Sequence, residues 1–195
     1  MMAEALQYDP QHGFLTGKLL VATPYLQDQR FHHSVIYMCG HDETGAMGLI
    51  INKPLVSVSF KDLLDQIKVS YDPTSPDGPI NYGGPVEVGR GFVLHTIDYL
   101  AQASVTILNT FALTATIEIL KAISNREGPR NALVALGYVS WSAQQLETEI
   151  QNNGWLVIEA HEDLIFNTDP ANIWHHAMAS IGVDPTHLTA EVGRA

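Results

Sequence analysis

Two uninterrupted apolar runs constrain the fold of this chain more than any other feature. Residues 34–39 read SVIYMC and residues 46–52 read AMGLIIN, and the polar segment HDETG lies between them. Successive side chains of a β-strand point to opposite faces, so a strand that is apolar at every position must be covered on both faces. We therefore expect a hairpin buried inside a layered structure and ended by Pro54.

Other segments alternate between strand and helix patterns. Apolar runs bounded by Gly, Pro or polar residues predict strands at 17–24, 92–96, 104–108, 132–139 and 155–159. Apolar residues spaced three and four apart predict helices at 59–67, 113–123, 142–150 and 169–181. Strands that alternate with helices indicate an α/β domain, and the hairpin makes its sheet mixed. The predicted buried face of the last helix comprises Trp174, Ala177, Met178 and Ile181.

Capping residues mark where these helices begin and end. Ser59 with Asp62, and Ser142 with Gln145, have the spacing of a capping box, in which the two residues bond to each other's backbone N–H. Gly154 follows the third helix, where a left-handed residue is expected. Asp169 followed by Pro170 predicts the start of the last helix.

The charge balance argues against direct binding to nucleic acid. The net charge is −11, with 10 Lys and Arg in 195 residues, and nucleic-acid binding relies on clustered basic side chains. Cys39 is the single cysteine, which fits a reducing, cytoplasmic compartment. The N-terminus lacks the basic segment of a secretory signal. The uncharged segment 99–117 holds too many Thr, Ser, Asn and Gln residues for a membrane span.

The stretch NYGGPVEVGRGFVLHT, residues 81–96, resembles a phosphate-binding loop at first sight. Gly84 and Gly89 have the G-x-x-x-x-G spacing, and Arg90 follows. Such a loop needs a strand before it, a helix after it, and Lys-Ser/Thr at its end. Here Arg90 and Gly91 occupy those positions, DGPINYG reads as a turn, and FVLHT reads as a strand. We expect a tight turn with Arg90 paired to a surface acid; anion binding at Gly84 and Arg90 is the alternative.

The residue spacings predict no metal site, no set of catalytic residues and no cofactor. The nine histidines include two adjacent pairs, and neighbours of this kind point in different directions. Cys39 and His41 can share a strand face, but a lone cysteine in an apolar run is typical of a core residue. Glu147 and Glu149 lie on diverging faces of one helix.

One group of polar residues is a candidate ligand site. Asn52 and Lys53 end an apolar strand, and ligands of open α/β sheets bind beyond strand ends. With Gly84, Arg90 and His95 they form the predicted binding set for an anionic ligand. An ordinary polar turn before Pro54 is the favoured interpretation of the first two residues.

Four stretches of the chain, taken in order, resemble the AlgH/YqgE family of bacterial proteins. They are GKLLVATP, SVIYMCGHDETGAMGLIINKP, GGPVEVGRGFVLHT, and LVALGYVSWSAQQLETEI followed by NNGWL. The resemblance implies one compact α/β domain, residues 17–182, whose bent or split sheet forms a pseudo-barrel flanked by helices. Residues 1–16 are then an extension and 183–195 a tail. Members are often labelled transcriptional regulators, and no reaction is established for them. Ser142 and Gln144 stand where the family often has glycine.

Two classes of function follow. The favoured one is a non-enzymatic regulatory or adaptor protein in the cytoplasm that acts through protein partners. The alternative is a binding protein or enzyme for an anionic small molecule near Asn52, Lys53, Arg90 and His95. A structural subunit of a homo-oligomer is a third option, and the sequence leaves the oligomeric state open.

Overall fold

A computed structural model describes residues 14–188, and most of the predicted extension (1–16) and part of the predicted tail (183–195) lie outside them. The strands in this range are β1 (Lys18–Ala22), β2 (Val35–Asp42), β3 (Gly45–Ile50), β4 (Pro54–Ser59), β5 (Pro79–Tyr82), β6 (Val86–Thr96), β7 (Val105–Ile107), β8 (Phe111–Thr114), β9 (Ala132–Ser142) and β10 (Trp155–Glu159). The α-helices are α1 (Phe60–Gln66), α2 (Ile117–Ser124), α3 (Gln145–Gln151), α4 (Glu162–Phe166) and α5 (Pro170–Ser180).

The strands form one curled, mostly antiparallel sheet, which confirms the predicted α/β fold with a bent, mixed sheet. Its order is β10-β1-β2-β3-β9-β6-β8-β7, and β5 pairs with both β4 and β9. The pairing of β5 with β9 is parallel, with Asn81 opposite Ala135. The long strand β9 therefore has β3 and β5 along one side and β6 along the other.

Core clusters cover both faces of the predicted hairpin. On β2, Val35, Tyr37 and Cys39 belong to a cluster that α4 and α5 complete. The alternating residues Ile36 and Met38 belong to a second cluster on the other face, with tryptophans from β9 and β10. A third cluster packs α1 and α2 on β5, β6 and β9. The expectation that an all-apolar strand is buried on both faces is confirmed.

The helix starts are as predicted in two cases. Ser59 and Asp62 form the capping box of α1, and Asp169 caps α5 with Pro170 in its first turn. The third helix begins later than predicted. Ser142 lies in β9, and Gln144 precedes the helix in a left-handed conformation with φ 64°. This conformation is one that glycine adopts more readily than other residues.

Several other predictions were wrong. The segment DGPINYG is not a turn throughout, because it contains β5, and β4 was missed. The helix predicted at 113–123 is preceded by β8 and begins only at Ile117. Asn153, not Gly154, takes the left-handed conformation after α3. Ile181 lies beyond α5 and is 41% exposed. Among the described helices, none has the length and apolar character needed to cross a bilayer.

Glycines at 83, 84 and 137 let the chain cross β9 at very short distance. A Cβ added to Gly84 would lie 2.2 Å from the carbonyl carbon of Tyr138. The φ of Gly84 is 154°. A Cβ on Gly83 would lie 2.2 Å from the carbonyl oxygen of Gly137. Gly83 N–H donates to Leu136 O at 2.8 Å, so the crossing is also hydrogen-bonded. These glycines are required for packing, and not for a flexible loop.

We expect Gly84→Ala to lower the free energy of unfolding by about 3 kcal/mol, because backbone atoms at 2.2 Å have no room to move aside. Gly89→Ala is the matched control, since nothing lies within 4 Å of its added Cβ. The control should change stability by less than about 0.5 kcal/mol. Urea denaturation followed by circular dichroism measures both variants. Equal stability of the two would contradict the proposed role of the crossing.

Candidate functional site

A cavity of about 810 Å³ opens beside the second core cluster. It lies between the segment 25–31, the beginning of β6, and the junction of β9 with α3. We call it the tryptophan groove. Its lining comprises residues 25–28, 30, 31, 85, 86, 139–141, 145, 149, 152 and 154.

The carboxylate of Glu149 holds one wall of the tryptophan groove together. Its Oε2 accepts hydrogen bonds from Trp141 Nε1 at 3.0 Å and from Trp155 Nε1 at 2.8 Å. Its Oε1 accepts from Gln145 Nε2 at 3.0 Å. Hydrogen bonds to an ionised carboxylate are stronger than neutral ones. Because Trp155 is 2% exposed, Glu149 fixes α3 against β9 and β10.

Gln145 links this carboxylate to the end of β9. Its Oε1 accepts from the backbone N–H of Ser142 at 3.0 Å and from Ser142 Oγ at 3.2 Å. The predicted contact between Ser142 and Gln145 is therefore present, although it joins a strand to a helix rather than capping the helix. In this chain of polar contacts, both carboxylate oxygens of Glu149 and the amide oxygen of Gln145 accept at least one hydrogen bond.

The opposite wall carries an ion pair and two aromatic rings. Arg30 Nη2 donates to Asp28 Oδ2 at 2.7 Å and Arg30 Nε to Asp28 Oδ1 at 3.0 Å. These bonds hold the pKa of the Asp28 carboxyl below its usual range. The Phe31 ring lies 6.0 Å from that of Trp155. Tyr25 is 50% exposed at the mouth.

Two of the predicted site residues, Asn52 and Lys53, support this wall. Lys53 Nζ donates to the carbonyl oxygen of Arg30 at 2.8 Å, and burial lowers the pKa of Lys53. Asn52 Oδ1 accepts from Val35 N–H, and its Nδ2 donates to His33 O, both at 2.8 Å. The side chains of Asn52 and Lys53 therefore bind backbone groups within the segment 30–35.

Gly84 and Arg90 have separate roles on β6 and the residues before it. Gly84 makes the close crossing that places Pro85 and Val86 in the wall of the tryptophan groove. Arg90 Nη1 donates to Glu87 Oε2 at 3.3 Å. The Arg90 guanidinium also lies 5.1 Å from the centre of the Phe92 ring. Arg90 thus has an exposed acidic partner, Glu87, and its guanidinium lies near the buried ring of Phe92.

His95 is 0% exposed and belongs to a buried hydrogen-bond chain. A carbonyl oxygen only accepts, so Nδ1 carries the proton and donates to Thr96 O at 2.9 Å. Nε2 accepts from Thr114 Oγ1 at 2.8 Å, which in turn contacts Ser104 Oγ at 2.7 Å. Burial lowers the pKa of His95 and favours its neutral form.

The structure does not bring the predicted anion-binding side chains into one pocket. Arg90 and His95 are five residues apart on β6, about 16 Å along an extended strand. Arg90 is exposed whereas His95 is buried. Asn52 and Lys53 reach the segment 30–35 instead.

Cys39 and His41 also have different surroundings. Burial raises the pKa of the Cys39 thiol to about 12, so the thiol stays protonated. His41 Nδ1 accepts from Leu15 N–H at 3.1 Å, and Nε2 contacts Glu147 Oε1 at 2.8 Å. Glu147 and Glu149 therefore diverge from α3 as predicted and reach different strands.

His32 and His33 stack on each other instead of converging their nitrogen atoms. The His33 ring lies 3.9 Å from that of His32 and 4.0 Å from that of Trp174. Within residues 14–188 no three His, Cys, Asp or Glu side chains are grouped to hold a metal ion.

We expect Glu149→Ala to lower the free energy of unfolding by about 3 kcal/mol. The substitution leaves two indole N–H groups without their acceptor, and Trp155 is buried. Glu118→Ala is the control, because Glu118 is an exposed acid in the first turn of α2. Thermal and urea denaturation compare them. A loss of stability no larger than that of the control would show that Glu149 does not hold the wall.

We expect the pH dependence of stability to change in His95→Asn. The pKa of His95 is lower in the folded protein than the ordinary value of about 6.5, so the unfolded chain binds the proton first. His95 therefore stabilises the fold above about pH 6.5, and this contribution is lost as the pH falls towards the folded pKa.

Urea denaturation of both proteins between pH 5 and 8 tests this expectation. The other histidines are the same in both proteins, so the difference between the two curves isolates His95. The wild-type protein should lose more stability than His95→Asn on acidification. Parallel curves would contradict the expectation.

Comparisons with known proteins show the family of this chain. A family model described as AlgH-like matches residues 19–186. A UPF0301 protein of Bradyrhizobium diazoefficiens is 45% identical over 191 residues, covering 94% of this chain and 89% of that protein. A UPF0301 protein of Rhizobium etli is 43% identical over 202 residues, covering 100% of both chains.

Two solved structures share the fold. The solution structure of the AlgH protein of Pseudomonas aeruginosa superposes with a TM-score of 0.75 at 35% identity, covering 97% of this chain and 99% of that one. The crystal structure of protein DIP2367 of Corynebacterium diphtheriae gives a TM-score of 0.70 at 17% identity, covering 94% of each chain, and shows likeness of fold alone. From the family match and these relatives, the chain belongs to the AlgH-like family.

Proposed function

We propose that this protein is a non-enzymatic regulatory or adaptor protein that binds a protein partner in the tryptophan groove. The observation that carries the proposal is the state of Glu149. Its carboxylate accepts three side-chain hydrogen bonds, two from indoles and one from Gln145. A general base needs an acceptor within reach of a substrate proton. The occupied carboxylate instead makes a rigid wall suited to recognition.

The exposed groups of the groove fit a protein interface. Tyr25 is half exposed, and Arg30 is exposed with its guanidinium 5.7 Å from the Phe31 ring. Tyr, Trp and Arg are the residue types that dominate binding energy at protein interfaces. Packing and the Glu149 carboxylate fix the tryptophans before a partner arrives, so these side chains lose little conformational freedom on binding.

Charge favours a basic partner. The chain carries a net charge of −11, which attracts positively charged proteins and accelerates their association. The same charge repels nucleic acid. An effect on transcription would therefore pass through a protein that itself contacts DNA.

The proposal is tested by photo-crosslinking in bacterial cells that lack their own copy of the protein. A photo-reactive amino acid replaces Gln27, which is exposed in the groove lining. The control carries it at Lys121, which is exposed on α2, a helix that contributes nothing to the groove lining. We expect a discrete adduct from position 27 alone, identified by mass spectrometry.

Substitutions in the groove then measure affinity for the purified partner. Tyr25→Ala with Arg30→Ala should weaken binding at least 30-fold, the effect of about 2 kcal/mol at an interface hot spot. Val157→Ala, an exposed apolar position on β10, is the control. Adducts at both positions or at neither, or equal affinity of the two variants, would reject the groove as the partner site.

A further inference from the structure

A second cavity, of about 330 Å³, lies between the sheet, the segment 76–79 and the beginning of α5. It shares no lining residue with the tryptophan groove. We call it the Asn81 cavity. An apolar cavity of about 150 Å³ is sufficient for benzene, so this one accommodates two fused rings. Its apolar walls include Ile51, Phe60, Leu133, Phe166 and Ile173.

Asn81 places a polar group in this apolar surface. It lies on β5, opposite Ala135 of β9, so its side chain shares the face on which α5 packs. Asn81 is 5% exposed, and its Oδ1 has no hydrogen-bond partner among the described residues. Buried polar atoms are normally paired, because an unpaired one loses its hydration without compensation. Asn81 lines the cavity, so a ligand N–H that reaches its Oδ1 would supply the missing hydrogen bond.

The charge at the rim selects against anions. Asp77 lines the cavity and is exposed. Its Oδ1 accepts from the backbone N–H of Lys61 at 3.0 Å and of Gly78 at 2.9 Å. These bonds hold the pKa of Asp77 below its usual range, so the group is ionised at neutral pH. The lining residues include no Lys, Arg or His.

We propose that the Asn81 cavity binds a compact aromatic ligand that donates an N–H to Asn81 Oδ1 and carries no negative charge. The two phenylalanines face the ring, and the amide oxygen fixes its orientation. An anion site presents hydrogen-bond donors and positive charge, whereas this cavity presents an acceptor and a negative charge. It involves residues on α1, α4, α5 and β5 that the partner-binding groove does not use.

The test uses indole and benzofuran, two rings of the same shape, one with an N–H donor and the other with an ether oxygen in its place. Chemical shifts of ¹⁵N-labelled full-length protein are followed during titration with each. We expect both rings to change the chemical shifts of the cavity residues, and indole alone to change those of the Asn81 side-chain amide. Indole should bind about tenfold more tightly than benzofuran, which is the effect of one hydrogen bond. Tryptamine should bind more tightly than indole-3-acetate, because Asp77 is negative.

Two variants assign the effect to this site. Asn81→Leu keeps a similar volume but removes the acceptor, and it should equalise the affinities of indole and benzofuran. Ile123→Trp, at a half-buried lining position of α2, fills the cavity and should abolish binding of both. If Asn81→Leu does not fold, the ratio in the wild-type protein and the result for Ile123→Trp decide. Equal affinities in the wild-type protein, no binding, or binding retained in Ile123→Trp would overturn the proposal.

Discussion

The close crossing of residues 83 and 84 over β9 is the contact on which the rest of the molecule depends. Gly83 donates its N–H to Leu136 O of β9 and accepts from Ile50 N–H at the end of β3. One residue thus bonds to both β9 and β3, and glycine at 137 makes the approach sterically possible. The chain then reverses to begin β6 on the other side of β9. A side chain at any of these glycines would push the two halves of the sheet apart.

The tryptophan groove depends on this crossing indirectly, through the residues that follow it in the chain. The residues that follow Gly84 form one part of its wall, and the end of β9 forms another. Trp141 is the penultimate residue of β9, and α3 begins three residues after that strand. The sheet therefore sets the position of the first indole, and the carboxylate on α3 then links it to the indole of β10. The proposed recognition surface and the fold therefore depend on the same strand.

The elements that the sequence predicted well are those governed by local chemistry. The all-apolar hairpin and the cap of α1 follow from side-chain alternation and from a bond three residues away. The strand β5 was missed because Gly78 and Pro79 are typical of turns, and only its parallel partner β9 makes the segment a strand. The last two residues of β8, 113 and 114, were read as helix because Leu113 continues the apolar spacing of α2. In both cases a distant strand determined the local conformation.

The candidate site shows the same limit. Asn52 and Lys53 were predicted as site residues because polar side chains at strand ends often contact ligands. Strand ends also leave backbone groups without hydrogen-bond partners. In the structure these two side chains bind such backbone groups. Glu149 carried no signal of its role, since Trp155 approaches it only through the pairing of β10 with β1. The divergence of the two glutamates on α3 was predictable from helix geometry. Their partners were not.

The arrangement of indoles has an optical consequence. The protein has three tryptophans, and two of them donate to the same carboxylate at the edge of the tryptophan groove, whereas the third, Trp174, donates to Ala22 O in a buried position. Indole emission is sensitive to nearby charge and to water. Two of the three indoles therefore share a carboxylate that lines the tryptophan groove, and a molecule that binds there is expected to change the intrinsic fluorescence of the protein without any attached dye.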